Sequence, residues 1–481
     1  MKVSEIFDVK IQSEITSLSS DSRNVTAQAM FFCMEGLSYD GHDFIDDAIA
    51  KGAVCIVHAK ERDKRKKGIN YIKVKDVKLA LNHAIKVFYE NCFDKMKIIG
   101  ITGTEGKTTS AYWLKTLMQN FENCGYIGDI GIHYADCQLS IDVTNLEEIA
   151  VADYLHKMYQ AGCYNCVIEL SSINLDLHPP DFINYEMAVL TNFSSRHLDF
   201  HGTLTNYLAA KKQLFDNLQS GKTTIINKDD AVSATIIADC PAQVLTYGID
   251  EASDYRATNI TCHRKGSEFN LVWQGTKHKL VTKALGKFSI YNILAVTAAL
   301  CELGFPVEDV IKELEKLPVV PGRMETIDGG QDFTVVVDYA YSPESFERVF
   351  QFARDTKKNQ SRIIAVFGAP GKRESQKRHL LGAVADKYAD LIILTEEDQR
   401  NENPQEIAEQ IATGIKNCEY YFIEEREIAI QQAIALAQKD DIVLILAKGD
   451  ELFNDRGLGK MMYNYAGDAT VATMCLKALL R

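Results

Sequence analysis

The sequence predicts a three-domain α/β protein, and three observations carry that prediction. The chain has 481 residues, enough for about three domains at roughly 150 residues each, every one able to bury its own core. Short apolar runs of strand length alternate with amphipathic stretches of helix length, the signature of mostly parallel sheets covered by helices. At one point an apolar run passes through a glycine-containing turn directly into a helix, Lys97-Ile98-Ile99-Gly100-Ile101-Thr102 followed by Gly103-Thr104-Glu105-Gly106-Lys107-Thr108. This strand–loop–helix unit opens an α/β domain.

In chain order, Phe31-Phe32 and Ala53 to Val57 read as strands, with helices over Asp46 to Lys51 and Leu79 to Tyr89. These belong to a small first domain over residues 1–95. The pattern changes near Asp94-Lys95, where a central domain over 96–325 begins. Its first helix carries Trp113, Leu114, Leu117 and Met118 on one face. Strands follow at Cys166 to Leu170, Met187 to Thr191 and Thr223 to Ile226. The alternation from Tyr255 to Thr282 reads as antiparallel hairpins at the edge of the domain, and a helix over Tyr291 to Leu303 closes it. Pro318, Pro321 and Gly322 mark a linker. The last domain, 326–481, has buried strands at Thr334 to Asp338, Ile363 to Phe367, Leu391 to Leu394 and Ile442 to Leu446. Helices between them imply a Rossmann-like doubly wound sheet.

Composition excludes several function classes. The chain is 46% apolar and 25% charged with 9 Pro, so it is neither disordered nor collagen-like. A net charge of −13 argues against duplex nucleic acid or an anionic membrane as partner. No apolar run approaches the ~20 residues of a membrane span, and Met1-Lys2-Val3-Ser4-Glu5-Ile6 has no signal-peptide character. A cytoplasmic protein with free thiols is expected, and the 12 cysteines fit that compartment. Cys163 and Cys166 have redox or metal spacing but no second pair, so they read as packing residues. Lys64-Arg65-Lys66-Lys67 reads as a solvated loop.

The chemistry concentrates in the glycine turn. G-x-x-G-K-[ST] arises by chance about 0.02 times in a chain of this length. Glycines let backbone N–H groups approach phosphates, Lys107 reaches the β/γ oxygens, and the Thr108 hydroxyl is placed for Mg²⁺. Glu169, ending a buried strand, is a hard oxygen ligand suited to Mg²⁺.

Further motifs make the chain similar to a known family. Gly103-Thr104-Glu105-Gly106-Lys107-Thr108-Thr109, Glu169-Leu170-Ser171-Ser172, Thr191 to Gly202 and Tyr207-Leu208-Ala209-Ala210-Lys211 resemble Mur ligase signatures. So do Gly286 to Asn292, Val320 to Glu325, Asp338 to Pro343 and Lys377-Arg378. Asp21-Ser22-Arg23 with Gly41-His42-Asp43-Phe44 resembles the UDP-binding domain of the branch that adds the third stem-peptide residue. The resemblance spans nearly the whole chain, in order.

The resemblance implies an ATP-dependent amide ligase of peptidoglycan precursor synthesis. It would join UDP-N-acetylmuramoyl-L-Ala-D-Glu to a diamino acid through an acyl phosphate, with ATP and Mg²⁺. It implies catalytic roles for Lys107, Lys211, Glu169 and His197, with Glu169 paired to His197. Lys211 becomes a carbamate (N6-carboxylysine), which joins Thr108, Glu169 and His197 around the metal; this needs a neutral amine. ATP would be held by Gly103, Thr104, Gly106, Lys107, Thr108, Thr109, Asn292, Arg323 and Asp338. The UDP substrate falls to Ser22, His42, Thr144, Asn145, Ser171 and Ser172. For Ser22 and His42 a turn or cap role stays open. The amino acid falls to Arg373, Asp398, Arg400 and Glu451. A monomer with small-molecule partners is expected.

Departures stand at Arg196, where the family has Asp, and at Tyr341, where it has His. Others are Lys372 in Pro370-Gly371-Lys372-Arg373 and Asp450 in Lys448-Gly449-Asp450-Glu451. The acceptor segment Glu397-Asp398-Gln399-Arg400 replaces Asp-Asn-Pro-Arg. Arg400 suits the second carboxylate of meso-diaminopimelate, while Glu397 and Asp398 suit an ammonium. Diaminopimelate is favoured, with lysine or ornithine next. Two rival readings remain: a divergent ligase of the same fold on another peptide or polymer, and an inactive paralogue that binds nucleotide.

Overall fold

The computed structural model describes residues 1–36, 39–61, 65–140, 146–177, 179–457 and 463–479. Among these it shows three sheets wrapped by helices, plus a two-stranded ribbon. The first sheet is parallel throughout, in the order Ser17–Ser19, Ala29–Phe32, Ala53–His58, Asn70–Lys73. Helix Val77–Phe88 leads from it toward the second sheet, its Asp76 side chain capping the Leu79 N–H.

The second sheet has eleven strands. At its centre Lys97–Thr102 lies parallel between Asn165–Glu169 and Met187–Leu190. These strands are apolar on both faces because helices cover both sides. Thr223–Asn227 and Gln243–Gly248 extend the sheet in parallel on one side, followed by Tyr255–His263, Gly266–Trp273 and Thr276–Thr282 as the antiparallel edge. On the other side Cys124–Gly128 pairs in parallel with Asn165–Glu169, and two short antiparallel strands, Gly131–Tyr134 and Cys137–Leu139, finish it. Helix Lys287–Glu302 is buried along nearly its whole length against this sheet and the helix Lys107–Met118. Trp113, Leu114, Leu117 and Met118 are buried, as their spacing predicts.

The third sheet runs Glu325–Ile327, Thr334–Asp338, Ile442–Leu446, Ile363–Phe367, Leu391–Leu394, Glu419–Phe422. Only the first of these pairs antiparallel. Cys163 and Cys166 are buried, unbridged packing residues. Lys66 pairs with Asp46 on the surface and Lys67 is exposed, while Lys64 lies outside the described residues. No described helix is long and apolar enough to cross a membrane.

In open α/β sheets ligands collect beyond the carboxyl ends of strands, where the strand order reverses. Lys97–Thr102 sits at such a point, because the chain continues from it to both sides. The carboxyl ends of the third sheet supply Asp338, 368–373, 395–400 and 447–451. Contacts between Arg196 and Tyr341 show that these two edges meet.

Candidate active site

The turn after Lys97–Thr102 is shaped by two glycines. Gly103 and Gly106 have φ of 146° and 77°, a region costly for any residue with a Cβ. A Cβ on Gly103 would collide with the Thr191 hydroxyl, and one on Gly106 with the Asn292 amide. The loop is held from outside as well. The Asn192 carbonyl accepts from the Thr104 N–H at 2.9 Å, and its side chain accepts from the Glu105 N–H at 3.0 Å. The Thr104 hydroxyl lies 3.0 Å from that of Tyr207. Helix Lys107–Met118 then starts at Gly106, directing its free N–H groups and positive dipole end at the loop.

Lys107 Nζ donates to the Thr104 carbonyl at 3.1 Å and stands 3.9 Å from Glu169 Oε1. The Thr108 hydroxyl donates to Glu169 Oε1 at 2.9 Å, with Asp129 Oδ2 at 3.4 Å. Asp129 also donates its N–H to Glu169 Oε2 at 3.3 Å. Burial and the Asp129 carboxylate push the Glu169 carboxyl up to about 7. Buried Glu169, the Thr108 hydroxyl and the more exposed Asp129 thus converge on one corner, with Lys107 at the edge of ion-pair distance from Glu169. A hard divalent cation with oxygen ligands is the group that such a donor set fits. Asp129 was not among the residues singled out from sequence. Its signal is an acid in the Gly128-Asp129-Ile130-Gly131 turn at a carboxyl strand end beside the phosphate loop.

Lys211 and His197 occupy the other flank. Lys211 is buried to 1% exposure, and its Nζ donates to the Gly103 carbonyl at 2.7 Å. Burial, with Lys107 and Arg196 nearby, drives its ammonium well below the usual lysine range. The neutral amine this favours is what reaction with CO₂ requires. His197 adopts a left-handed conformation, φ 54°. Burial, then Arg196, Lys107 and Lys211, lower it to about 3, so its imidazole stays neutral and can act as a ligand. Among the described residues His197 makes no hydrogen bond to Glu169; that carboxylate is taken by Thr108 and Asp129 instead.

Asn292, Arg323 and Asp338 line, with Glu105, Gly106 and Thr109, a cavity of about 1270 Å³ between the central and last sheets. Burial raises the Asp338 carboxyl to about 6, although it accepts backbone N–H bonds from Met324 and Ala340. Arg323 NH1 pairs with Asp450 Oδ1 at 2.9 Å.

The residues read for the UDP substrate are scattered. Ser172 Oγ bonds His201 Nε2 at 3.0 Å, and Ser171 Oγ bonds Asn174 at the start of the same helix. Ser22 lies in a 3₁₀ turn capped by Asp21. His42 has both ring nitrogens engaged inside its own domain: Nδ1 with Asp40 at 2.6 Å, Nε2 with the N–H groups of Ala59 and Lys60. That is the geometry of a loop-bracing residue. Thr144 and Asn145 lie outside the described residues.

At the carboxyl edge of the third sheet Asp398 and Glu451 converge on Lys448, which has no exposure, and Arg400 adjoins through Asp398. Lys448 Nζ donates to Asp398 Oδ1 at 2.9 Å and Glu451 Oε2 at 2.7 Å. Burial works against its charge, but Glu451 and Asp398 more than offset that and raise it. Arg400 pairs with Asp398 and Asp455, each at 3.2 Å. Glu397, pushed up to about 7 by burial, and Gln399 each keep a buried side-chain oxygen with no donor among the described residues. Arg373 is exposed on the neighbouring loop. Lys448 was missed as a pocket residue although it opens the quoted Lys448-Gly449-Asp450-Glu451 segment.

With this geometry in hand, comparison with known proteins is decisive about family. Family models match in order along the chain: "Mur ligase family, catalytic domain" over 14–89, "Mur ligase middle domain" over 101–300, and "Mur ligase, glutamate ligase domain" over 322–449. The chain belongs to the Mur ligase family. Among curated relatives, the Clostridium acetobutylicum UDP-N-acetylmuramoyl-L-alanyl-D-glutamate–2,6-diaminopimelate ligase 1 is 37% identical over 447 residues, 92% of each chain. The Clostridioides difficile ligase named for the same two substrates is 35% identical, covering 99% of this chain and 98% of its own. A solved structure of a ligase so named superposes with TM-score 0.72 at 26% identity, over 100% of this chain and 99% of that one. MurF from Acinetobacter baumannii, at 20% identity and TM-score 0.65 over 91% of each chain, shares the three-domain fold.

Proposed function

We propose that this Mur ligase joins UDP-N-acetylmuramoyl-L-Ala-D-Glu to a diamino acid, meso-diaminopimelate, at the expense of ATP. The observation that carries the reading is the meeting of two strand edges: one bearing the phosphate loop with Glu169, Asp129 and Lys211, the other bearing a charged pocket around Lys448. In the first step a substrate carboxylate oxygen attacks the γ-phosphorus. The bond from that phosphorus to the bridging oxygen breaks, and ADP leaves with the electron pair. In the second step the amine nitrogen attacks the acyl carbon, inorganic phosphate leaves, and one proton is lost from the nitrogen.

Mg²⁺ bound at Thr108, Glu169 and Asp129, with His197 and a carbamylated Lys211 as further donors, would neutralise charge on the phosphates. The chain's own residues do the rest. Backbone N–H groups of the loop and Lys107 hold the β/γ oxygens and oppose charge developing on the transferring group. Asn292 and Arg323 flank the nucleotide and Asp338 reaches it from the last domain. The residues read as UDP contacts, Ser171 and Ser172 among them, remain a proposal of the same kind.

The acceptor pocket suits a zwitterionic side chain. Arg400 matches a carboxylate with its planar fork. The donorless oxygens of Glu397 and Gln399, with the acids around Lys448, match an ammonium. Arg400→Ala is therefore expected to raise the diaminopimelate KM, costing roughly 2–5 kcal/mol of acceptor binding because the distal carboxylate stays buried without a partner. The ATP KM should stay near wild type. Steady-state kinetics with diaminopimelate and L-lysine against Arg400→Ala and Asp398→Asn provides the check. Lysine preference, with Arg400→Ala silent and Asp398→Asn damaging, would reverse the acceptor assignment. Unchanged KM values in both variants would remove this segment from the pocket.

A further inference from the structure

Two positions at which the chain departs from the family pattern, Arg196 and Tyr341, touch each other across the domain boundary. Arg196 follows strand Met187–Leu190 of the central sheet, and Tyr341 follows strand Thr334–Asp338 of the last one. The guanidinium carbon lies 4.1 Å from the centre of the Tyr341 ring. The same guanidinium donates through NH1 to Glu105 Oε1 at 2.8 Å. Glu105 sits between the two glycines of the phosphate loop. Its carbonyl accepts from Thr191 Oγ1 at 2.7 Å and Asn192 Nδ2 at 2.9 Å, so it cannot shift without moving the loop.

Arg196 is only 8% exposed, and its Nε has no partner among the described residues. A buried cation is costly unless paired. Here the Glu105 carboxylate and the face of the Tyr341 ring are its partners. One of those partners belongs to each domain. The arrangement is therefore satisfied only while the last domain is packed over the phosphate loop.

From Tyr341 the contacts continue to the acceptor pocket. Tyr341 meets Tyr339 edge-on at 5.3 Å between ring centres, and Arg323 lies 4.4 Å over the Tyr339 ring. The Tyr339 hydroxyl donates to Glu451 Oε1 at 2.8 Å, and Glu451 shares Lys448 with Asp398. The links form a contiguous chain of packed side chains from the phosphate loop to the acceptor pocket, a route whose coupling the variants below measure.

We propose that Arg196 and Tyr341 form a cross-domain clasp, keyed to the phosphate loop through Glu105, that positions the acceptor pocket for amide formation. The proposal rests on the ligase reading above. Both are positioning residues: they act through Glu105 and Tyr339 and need not touch the reacting atoms.

Steady-state kinetics of single and double variants tests this, alongside small-angle scattering with the non-hydrolysable ATP analogue AMPPCP. Arg196→Ala and Tyr341→Leu should each lower kcat about 10–100-fold, as misplacement on the ångström scale does, and raise the acceptor KM. The KM for the UDP dipeptide should stay within about threefold. The double variant should fall no further than the worse single one, since each removes the same contact. Arg196→Lys should resemble Arg196→Ala, because a point charge lacks the flat face that stacks. Tyr341→Phe, which keeps the ring, should lose less than Tyr341→Leu. In scattering, AMPPCP should leave Tyr341→Leu more extended than the wild type.

Multiplying losses in the double variant would overturn the clasp, as would wild-type kcat in Tyr341→Leu or full rescue by Arg196→Lys. The last result would make Arg196 a simple phosphate cation. If Arg196→Ala does not fold, the Tyr341→Leu and Tyr341→Phe pair decides alone. If the wild type shows no ligation at all, the functional reading fails separately. The scattering comparison then still decides the clasp, and identical profiles would overturn it.

Discussion

Replacing Lys107 with alanine is expected to lower turnover by about 10²–10³-fold or more, the usual loss when one preorganised charge at a transferring phosphoryl group is removed. Lys107 is the first residue of the helix, with its Nζ turned back to the Thr104 carbonyl at 3.1 Å and standing 3.9 Å from Glu169. Helix geometry and the Gly106 turn place it at the mouth of the loop. The backbone N–H groups survive the substitution, so nucleotide should still bind, more weakly, while kcat falls. Phosphate release under saturating ATP measures this. Turnover within about threefold of wild type would contradict the assignment of the loop.

Lys211→Ala is expected to be inactive and partly restored by formate or acetate. The side chain is buried, with its nitrogen on the Gly103 carbonyl. Its depressed basicity comes from burial and two neighbouring cations. Such a nitrogen can attack the carbon of CO₂, forming the N–C bond and releasing one proton. The product is an anionic oxygen donor near Glu169 and Thr108. Removing the side chain deletes those oxygens and leaves space that a small carboxylate can enter. A thermal melt close to that of the wild type shows that the fold is retained. Retained activity, or no rise above the variant's own baseline with added carboxylate, would contradict the carbamate role.

The fold was legible where its signal is local. Ile363 to Phe367 and Ile442 to Leu446 are uninterrupted apolar runs because helices cover both faces of their sheet. The phosphate loop was legible because its glycines, lysine and threonine are neighbours in sequence. Cys124–Gly128, Gly131–Tyr134 and Cys137–Leu139 went unread, being short and set by pairing, the first with strand Asn165–Glu169 and the others successively onto it. Asp129 escaped because its partners Thr108 and Glu169 are 21 and 40 residues away. Lys448 meets Asp398 across 50 residues, and no local pattern announces that.

The departures from the family pattern show the same limit from the other side. In sequence Arg196, Tyr341 and Asp450 read as isolated changes at sites that hold other residues in the family. In three dimensions Arg196 lies against Tyr341 and Asp450 against Arg323. These contacts join residues 145 and 127 positions apart, and only the packing of two domains makes them visible. His42 is the opposite case. Its motif matched a substrate-binding segment, yet its two nitrogens are spent on Asp40 and the backbone of 59–60.

The central claim is that the two strand edges together perform ATP-driven amide formation on a muramoyl dipeptide. The most direct measurement is phosphate release by the wild-type protein with ATP, Mg²⁺ and UDP-N-acetylmuramoyl-L-Ala-D-Glu against meso-diaminopimelate, L-lysine and L-ornithine, with mass detection of the UDP product. Phosphate should appear in step with one UDP tripeptide, should need all three substrates, and should be fastest with diaminopimelate. Phosphate no faster than in the absence of any diamino acid, with no tripeptide formed, would contradict it.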